Sequence, residues 1–171
     1  MRASQSRVLP AIALSMLVGL LVGSVRAQDS IDFAHLSLED GLSQSIVERI
    51  IQDRTGFMWF ATEDGLNRFD GYRFTVHRHV PTDPETLSYN ELKALYEDSD
   101  GYLWVGTFEN GLNRFDPATE KTVRYLHDPS DPDSLGAHTV RCVFEDSSGR
   151  LWVGTQGGGL ERFDRATGKF I

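Results

Sequence analysis

A ten-residue phrase occurs three times in this chain and narrows what it can fold into. It reads Asp53-Arg-Thr-Gly-Phe-Met-Trp-Phe-Ala-Thr62, then Asp98-Ser-Asp-Gly-Tyr-Leu-Trp-Val-Gly-Thr107, then Asp146-Ser-Ser-Gly-Arg-Leu-Trp-Val-Gly-Thr155. Each copy is followed by Gly-Leu, a polar residue, then Arg-Phe-Asp, over 65–70, 111–116 and 159–164. Trp59, Trp104 and Trp152 are spaced by 45 and then 48 residues. The added residues fall after the Trp segment and in the following turn, so length varies only at connections, as in arrays of supersecondary units.

Within one repeat the pattern reads as four short strands. The first is apolar (Val47–Ile51, Leu92–Tyr96, Val140–Phe144) and is expected to be buried on both faces. The Asp-x-x-Gly turn follows: Asp bonds its own backbone and Gly supplies positive φ. The second strand carries the Trp and the third is Leu-x-Arg-Phe. The fourth spans 72–79 or 122–126, after turns at Asp70-Gly71 and Asp116-Pro117. Asp-Pro pairs in 81–87 and 129–135 keep the inter-repeat connections out of helix. Four strands and one Trp per repeat predict an all-β fold, a β-propeller of four-stranded antiparallel blades. Three repeats leave it incomplete, since such rings close with ~4–8 blades.

The expected organisation is a signal peptide over 1–27, a lead-in over 28–45, and repeats over 46–90, 91–138 and 139–171. Arg2 and Arg7 precede an apolar run from Val8 to Val25, and Val25-Arg26-Ala27 offers small residues at the cleavage site. The rival reading is a retained membrane anchor, since ~18 apolar residues just span a bilayer. Cleavage takes the net charge from −8 to −11, with Arg2, Arg7 and Arg26 lost, and export to the periplasm follows. In the lead-in, Ile31–Leu36 alternates like a strand anchored by Phe33, the last strand of a missing repeat that would close a ring. The third repeat stops partway through its fourth strand, so the chain reads as a piece of a longer protein.

The acidic balance argues against nucleic acid. One cysteine, Cys142, rules out an intrachain disulfide, and its alignment with Arg49 and Ala94 reads as a small buried filler.

The repeated residues read as architecture. Trp59, Trp104 and Trp152 are expected to pack blade against blade. Asp53, Asp98 and Asp146 with Gly56, Gly101 and Gly149 are expected to make turns, since one carboxylate per turn falls short of what calcium needs. Arg68, Arg114 and Arg162 are expected to pair with blade carboxylates. His77 and His79 would share one strand face, but they lack a third ligand for zinc; no metal site and no cofactor is expected. Loops after the second and fourth strands share one face, and their tips vary on a constant frame. Glu63, Asp64, Glu109, Asn110 and Gln156 are therefore the candidates for bordering a ligand entrance.

The motif Asp-x-x-Gly-x-[Leu/Met]-Trp-[Val/Phe]-[Gly/Ala]-Thr, with the following Gly-Leu-Asn-Arg-Phe-Asp, resembles the two-component regulator propeller repeat. The resemblance covers Ile31 to Ile171, and Ala61 departs from its usual Gly. It implies a periplasmic sensor region followed by a small β-sandwich, a membrane helix and a cytoplasmic output, either a histidine kinase or a GGDEF diguanylate cyclase. The implied partners are a small-molecule or oligosaccharide ligand of unknown identity and a second copy in a homodimer. Membrane association would lie only beyond Ile171. The alternative is a periplasmic or secreted scaffolding propeller with no signalling output. The turn is also similar to the Asp-box of sialidase propellers, but no arginine cluster or Tyr nucleophile with an acidic partner accompanies it. A propeller hydrolase or lyase is thus the third reading, and no catalytic residue is assigned.

Overall fold

The computed structural model describes residues 34–171. The signal-peptide expectation for 1–27 lies outside them, as does Phe33. Ala34 to Leu36 form no strand, and among the described residues the lead-in holds one 3-10 turn, Leu38–Asp40, capped by Ser37. Three four-stranded sheets follow in chain order. The first holds β1 (Val47–Gln52), β2 (Met58–Thr62), β3 (Gly65–Phe69) and β4 (Phe74–His77). The second holds β5 (Leu92–Glu97), β6 (Leu103–Thr107), β7 (Leu112–Asp116) and β8 (Lys121–Tyr125). The third holds β9 (Val140–Glu145), β10 (Leu151–Thr155), β11 (Gly159–Asp164) and β12 (Lys169–Phe170). Neighbouring strands are consecutive and antiparallel throughout, the up-and-down order of a propeller blade.

Alternation along each strand sends one set of side chains to the preceding blade and one to the next. Between the first two blades lie Trp59, Ala61 and Leu66 from one side and Leu95, Leu103, Val105 and Phe115 from the other. Between the second and third lie Ala94, Trp104 and Leu112 against Val140, Leu151, Val153 and Phe163. Each buried Trp meets the next blade edge-on: Trp59 with Phe115 at 5.6 Å, Trp104 with Phe163 at 5.0 Å. Each also stacks on its own fourth strand, Trp59 on His77 and Trp104 on Tyr125. Two apolar layers of this kind supply most of what holds the blades together.

Of the three first strands, only β5, with a blade on either side, shows burial on both faces. In β1 and β9 it fails, because each has one uncovered face; Ile50 and Phe144 are exposed. Cys142 is exposed as well, which corrects its reading as a buried filler. It stands on the uncovered face of the third blade, where Ala94 on the second is covered by the third. His79 falls beyond the end of β4, so the two imidazoles do not share a strand face. The His77 ring packs on Trp59, while His79 Nδ1 lies 2.7 Å from Leu87 O.

The inter-repeat connections are clasped rather than loose. Ser43 N–H donates to Asn67 Oδ1 and Ser88 N–H to Asn113 Oδ1, both at 2.9 Å. Arg124 donates to the carbonyls of Asp83, Thr86 and Leu87. Gly65 N–H to Asn90 O at 2.8 Å and Gly111 N–H to His138 O at 2.7 Å then tie each second hairpin to the strand entering the next blade.

Candidate functional site

Every first strand carries a bulge at the same place. Pairing skips a residue between Val47 and Arg49 and between Leu92 and Ala94; in the third blade Gly154 faces Cys142 and Thr155 faces Val140. A bulge leaves one residue unpaired and re-aims its side chain. Those residues are Glu48, Lys93 and Arg141, three different chemistries at one structural position. Facing them across each blade are the first residues beyond the second strand: Glu63, Phe108 and Gln156.

Together these six form a rim on the face of the inter-repeat connections. Lys93 Nζ lies 2.6 Å from Glu48 Oε1, 3.0 Å from Glu91 Oε1 and 3.6 Å from Glu63 Oε1. Its side chain is only 10% exposed. Burial alone would lower the Lys93 pKa, but hydrogen bonds to Glu48 and Glu91 outweigh it and hold the ammonium above its usual range. The Phe108 ring sits 5.8 Å from that ammonium and 5.9 Å from the Arg141 guanidinium. Arg141 Nε in turn donates to Gln156 Oε1 at 2.9 Å. The rim thus runs from carboxylates on the first blade through an aromatic face to a guanidinium and an amide on the third. Charge, hydrogen-bonding capacity and an aromatic face are thus gathered in one place.

Of the five residues singled out from sequence, Glu63 and Gln156 stand in this rim. Asp64 is turned to Arg78, 2.9 Å away. Glu109 lies beside Tyr89, whose phenol its charge pushes above the ordinary range. Asn110 acts through its backbone, donating to Thr107 Oγ1 at 2.9 Å and accepting from Ser88 Oγ at 2.6 Å. Sequence reasoning missed Glu48, Glu91, Lys93, Phe108 and Arg141. A signal existed: aligning the repeats shows Glu, Lys and Arg at one position inside an otherwise apolar strand.

The opposite face carries the Asp turns. Asp98 Oδ1 accepts from the backbone N–H of Asp100 and Tyr102, each at 3.0 Å. Its Oδ2 accepts from Trp104 Nε1 at 2.7 Å. Asp53 serves Trp59 in the same way at 2.6 Å, and Asp146 serves Trp152 at 2.9 Å. Gly56, Gly101 and Gly149 close these turns at φ of 96°, 92° and 75°, where a Cβ is strained. Among the described residues, of the three repeated arginines only Arg68 forms an ion pair, with Glu120 at 3.4 Å. Arg114 instead lies over the Tyr102 ring at 4.6 Å. No group of three or more His, Cys, Asp or Glu side chains suited to a metal gathers among the described residues, and no helix there is long and apolar enough to cross a membrane.

Sequential antiparallel blades, each latched by an Asp–Trp pair and carrying a variable bulge, define a β-propeller region. Two stretches of the chain, residues 86–109 and 134–157, match the two-component regulator propeller family. The extracellular domain of BT3049 from B. thetaiotaomicron, assigned to a hybrid two-component system, is 38% identical with a TM-score of 0.75 over 81% of this chain and 19% of that one. The extracellular domain of BT4673 from the same organism is 28% identical with a TM-score of 0.57, over 71% of this chain and 17% of that one. Histidine kinase P4 of Formosa agariphila is 43% identical over 74 residues, 43% of this chain and 5% of the kinase. The chain therefore spans a small part of each of these relatives.

Proposed function

We propose that this chain is part of the extracytoplasmic ligand-sensing propeller of a two-component-type signalling protein, exported to the periplasm by its N-terminal leader. The observation that carries the reading is the rim. Glu48, Lys93 and Arg141 occupy one bulge position, and Glu63, Phe108 and Gln156 one tip position, on blades otherwise built in the same register. The extracellular domains it resembles belong to hybrid two-component systems and support the placement outside the cytoplasm. Ligand held at the rim bridges blades, and a state that binds it better gains population in proportion to that difference. The change passes through the membrane to a histidine kinase output.

The test is a transcriptional reporter of the intact signalling protein in its native host, with the rim residues Glu63, Phe108, Arg141 and Gln156 changed to alanine singly and together. Loss of the inducer response at unchanged protein level is expected. A full response in the combined variant would overturn the assignment of the rim.

A further inference from the structure

Two homologous clefts lie on the Asp-turn face, opposite the rim. Each is bounded by the Asp turn of one blade and by the hairpin joining the third and fourth strands of the next. In the cleft between the second and third blades the hairpin reads Asp164-Arg-Ala, and the arginine fills it. Arg165 Nη1 lies 2.9 Å from Asp98 Oδ2 and 3.1 Å from Asp100 Oδ2, and Nη2 lies 3.4 Å from Glu145 Oε2. A planar guanidinium with carboxylates on two sides is a satisfied arrangement.

Between the first and second blades the same hairpin reads Asp116-Pro-Ala. Pro117 stands where Arg165 stands, and it has neither the reach nor the charge to fill the space. A cleft of about 390 Å³ remains, with Phe57, Tyr102 and Pro117 as apolar walls and Asp53 and Glu97 among its polar groups. Volumes of this order suit a small ligand. Asp53 is the counterpart of Asp98 and only 6% exposed, yet its partners are Thr55, the Phe57 amide and Trp59. No cation within the described residues pairs with it. Two arginines also line the cleft, but neither pairs with Asp53: Arg54 is held by Glu97 at 2.7 Å, and Arg68 by Glu120 at 3.4 Å while lying over the Phe57 ring.

We propose that this cleft binds the alkylguanidinium group of an external ligand, which takes beside Asp53 the place that Arg165 takes beside Asp98. The head group meets the Asp53 carboxylate, and the alkyl stem lies along Phe57 and Pro117. The site is independent of the rim, since it lies on the other face and its occupancy is read by binding rather than by signalling.

Titration calorimetry of the whole chain with agmatine tests it, with putrescine as an amine-only control. The unchanged protein is expected to bind one agmatine, and to bind it more tightly than putrescine. Pro117→Arg supplies the guanidinium from within, so saturable binding is lost while the melting temperature holds or rises. Arg165→Ala opens the homologous cleft, and the stoichiometry goes from one to two. Absence of saturable binding to the unchanged chain, or wild-type affinity in a folded Pro117→Arg variant, would overturn the proposal. An arginine-containing tripeptide that binds as agmatine does marks the source as a peptide side chain; a tripeptide that fails marks it as a free small molecule.

Discussion

Trp104 Nε1 donates to Asp98 Oδ2 at 2.7 Å, with both side chains removed from solvent. The aspartate is thus more than a turn former. One oxygen closes the turn through backbone amides, and the other satisfies the indole N–H of the largest buried side chain six residues on. Its loss opens a turn and orphans a donor together.

Asp98→Ala should therefore destabilise the protein by about 2–4 kcal/mol, since it leaves the Trp104 N–H unpaired and the Arg165 guanidinium without its nearest partner. Asp146→Ala should cost less, because Trp152 is only partly buried and its turn is exposed. Urea denaturation of the two variants checks the order.

Acid should loosen the fold in two stages. The first stage comes from His77, whose pKa burial lowers from 6.5. The unfolded chain takes up a proton that the folded protein refuses, so stability is full above about pH 6.5 and declines until pH has fallen through the folded value. His77→Tyr, matching Tyr125 at the equivalent place, should keep the stacking and flatten melting temperature between pH 5 and pH 7, a range of about one folded domain's histidine titration.

The second stage comes from the turn aspartates. Burial alone would raise Asp53 and Asp98, but hydrogen bonds from Thr55 and Trp59, and from Trp104 and Arg165, win and lower both. With folded values below the ordinary 3.8, their contribution is present above that pH and lost as pH falls through the folded values. Melting curves below pH 4 should show a further decline, reduced in Asp98→Asn.

Lys93 joins Glu48 and Glu63 of the first blade to Glu91 of its own. Lys93→Met should destabilise the protein by about 1–3 kcal/mol, because three carboxylates then face one another without a cation. Adding Glu48→Gln should recover part of that loss. Additivity of the two changes in a double-mutant cycle would show that the pair is not coupled.

Cys142 should react with a maleimide in the folded chain, whereas an Ala94→Cys, Cys142→Ser variant should label slowly. The two positions are structurally equivalent, but the third blade covers only Ala94. Equal labelling rates would contradict the packing described above.

Much of this was legible in the residues. The Asp-x-x-Gly-x-x-Trp phrase specifies turn, strand and buried aromatic within ten residues, so strand order and blade register followed from local chemistry. The blade-packing role of Trp59 and Trp104 was legible too, since a large apolar side chain repeated at one position has to be covered. Cys142 and Phe144 misled because their burial depends on a neighbouring blade rather than on their own strand. Lys93 and Arg141 escaped notice because a bulge reverses the facing that simple alternation predicts.

By itself, the sequence determined the units: how many strands each has, where they turn, and which residues latch the turn, all by contacts within about ten residues. Only the tertiary structure decided what the blades do to one another. It set Lys93 among the carboxylates of Glu48 and Glu63, filled one cleft with Arg165 and left its counterpart open at Pro117. Such pairings join residues far apart in the chain, and they depend on which turn is brought against which wall when the sheets pack. Nothing in a strand's own pattern encodes that approach.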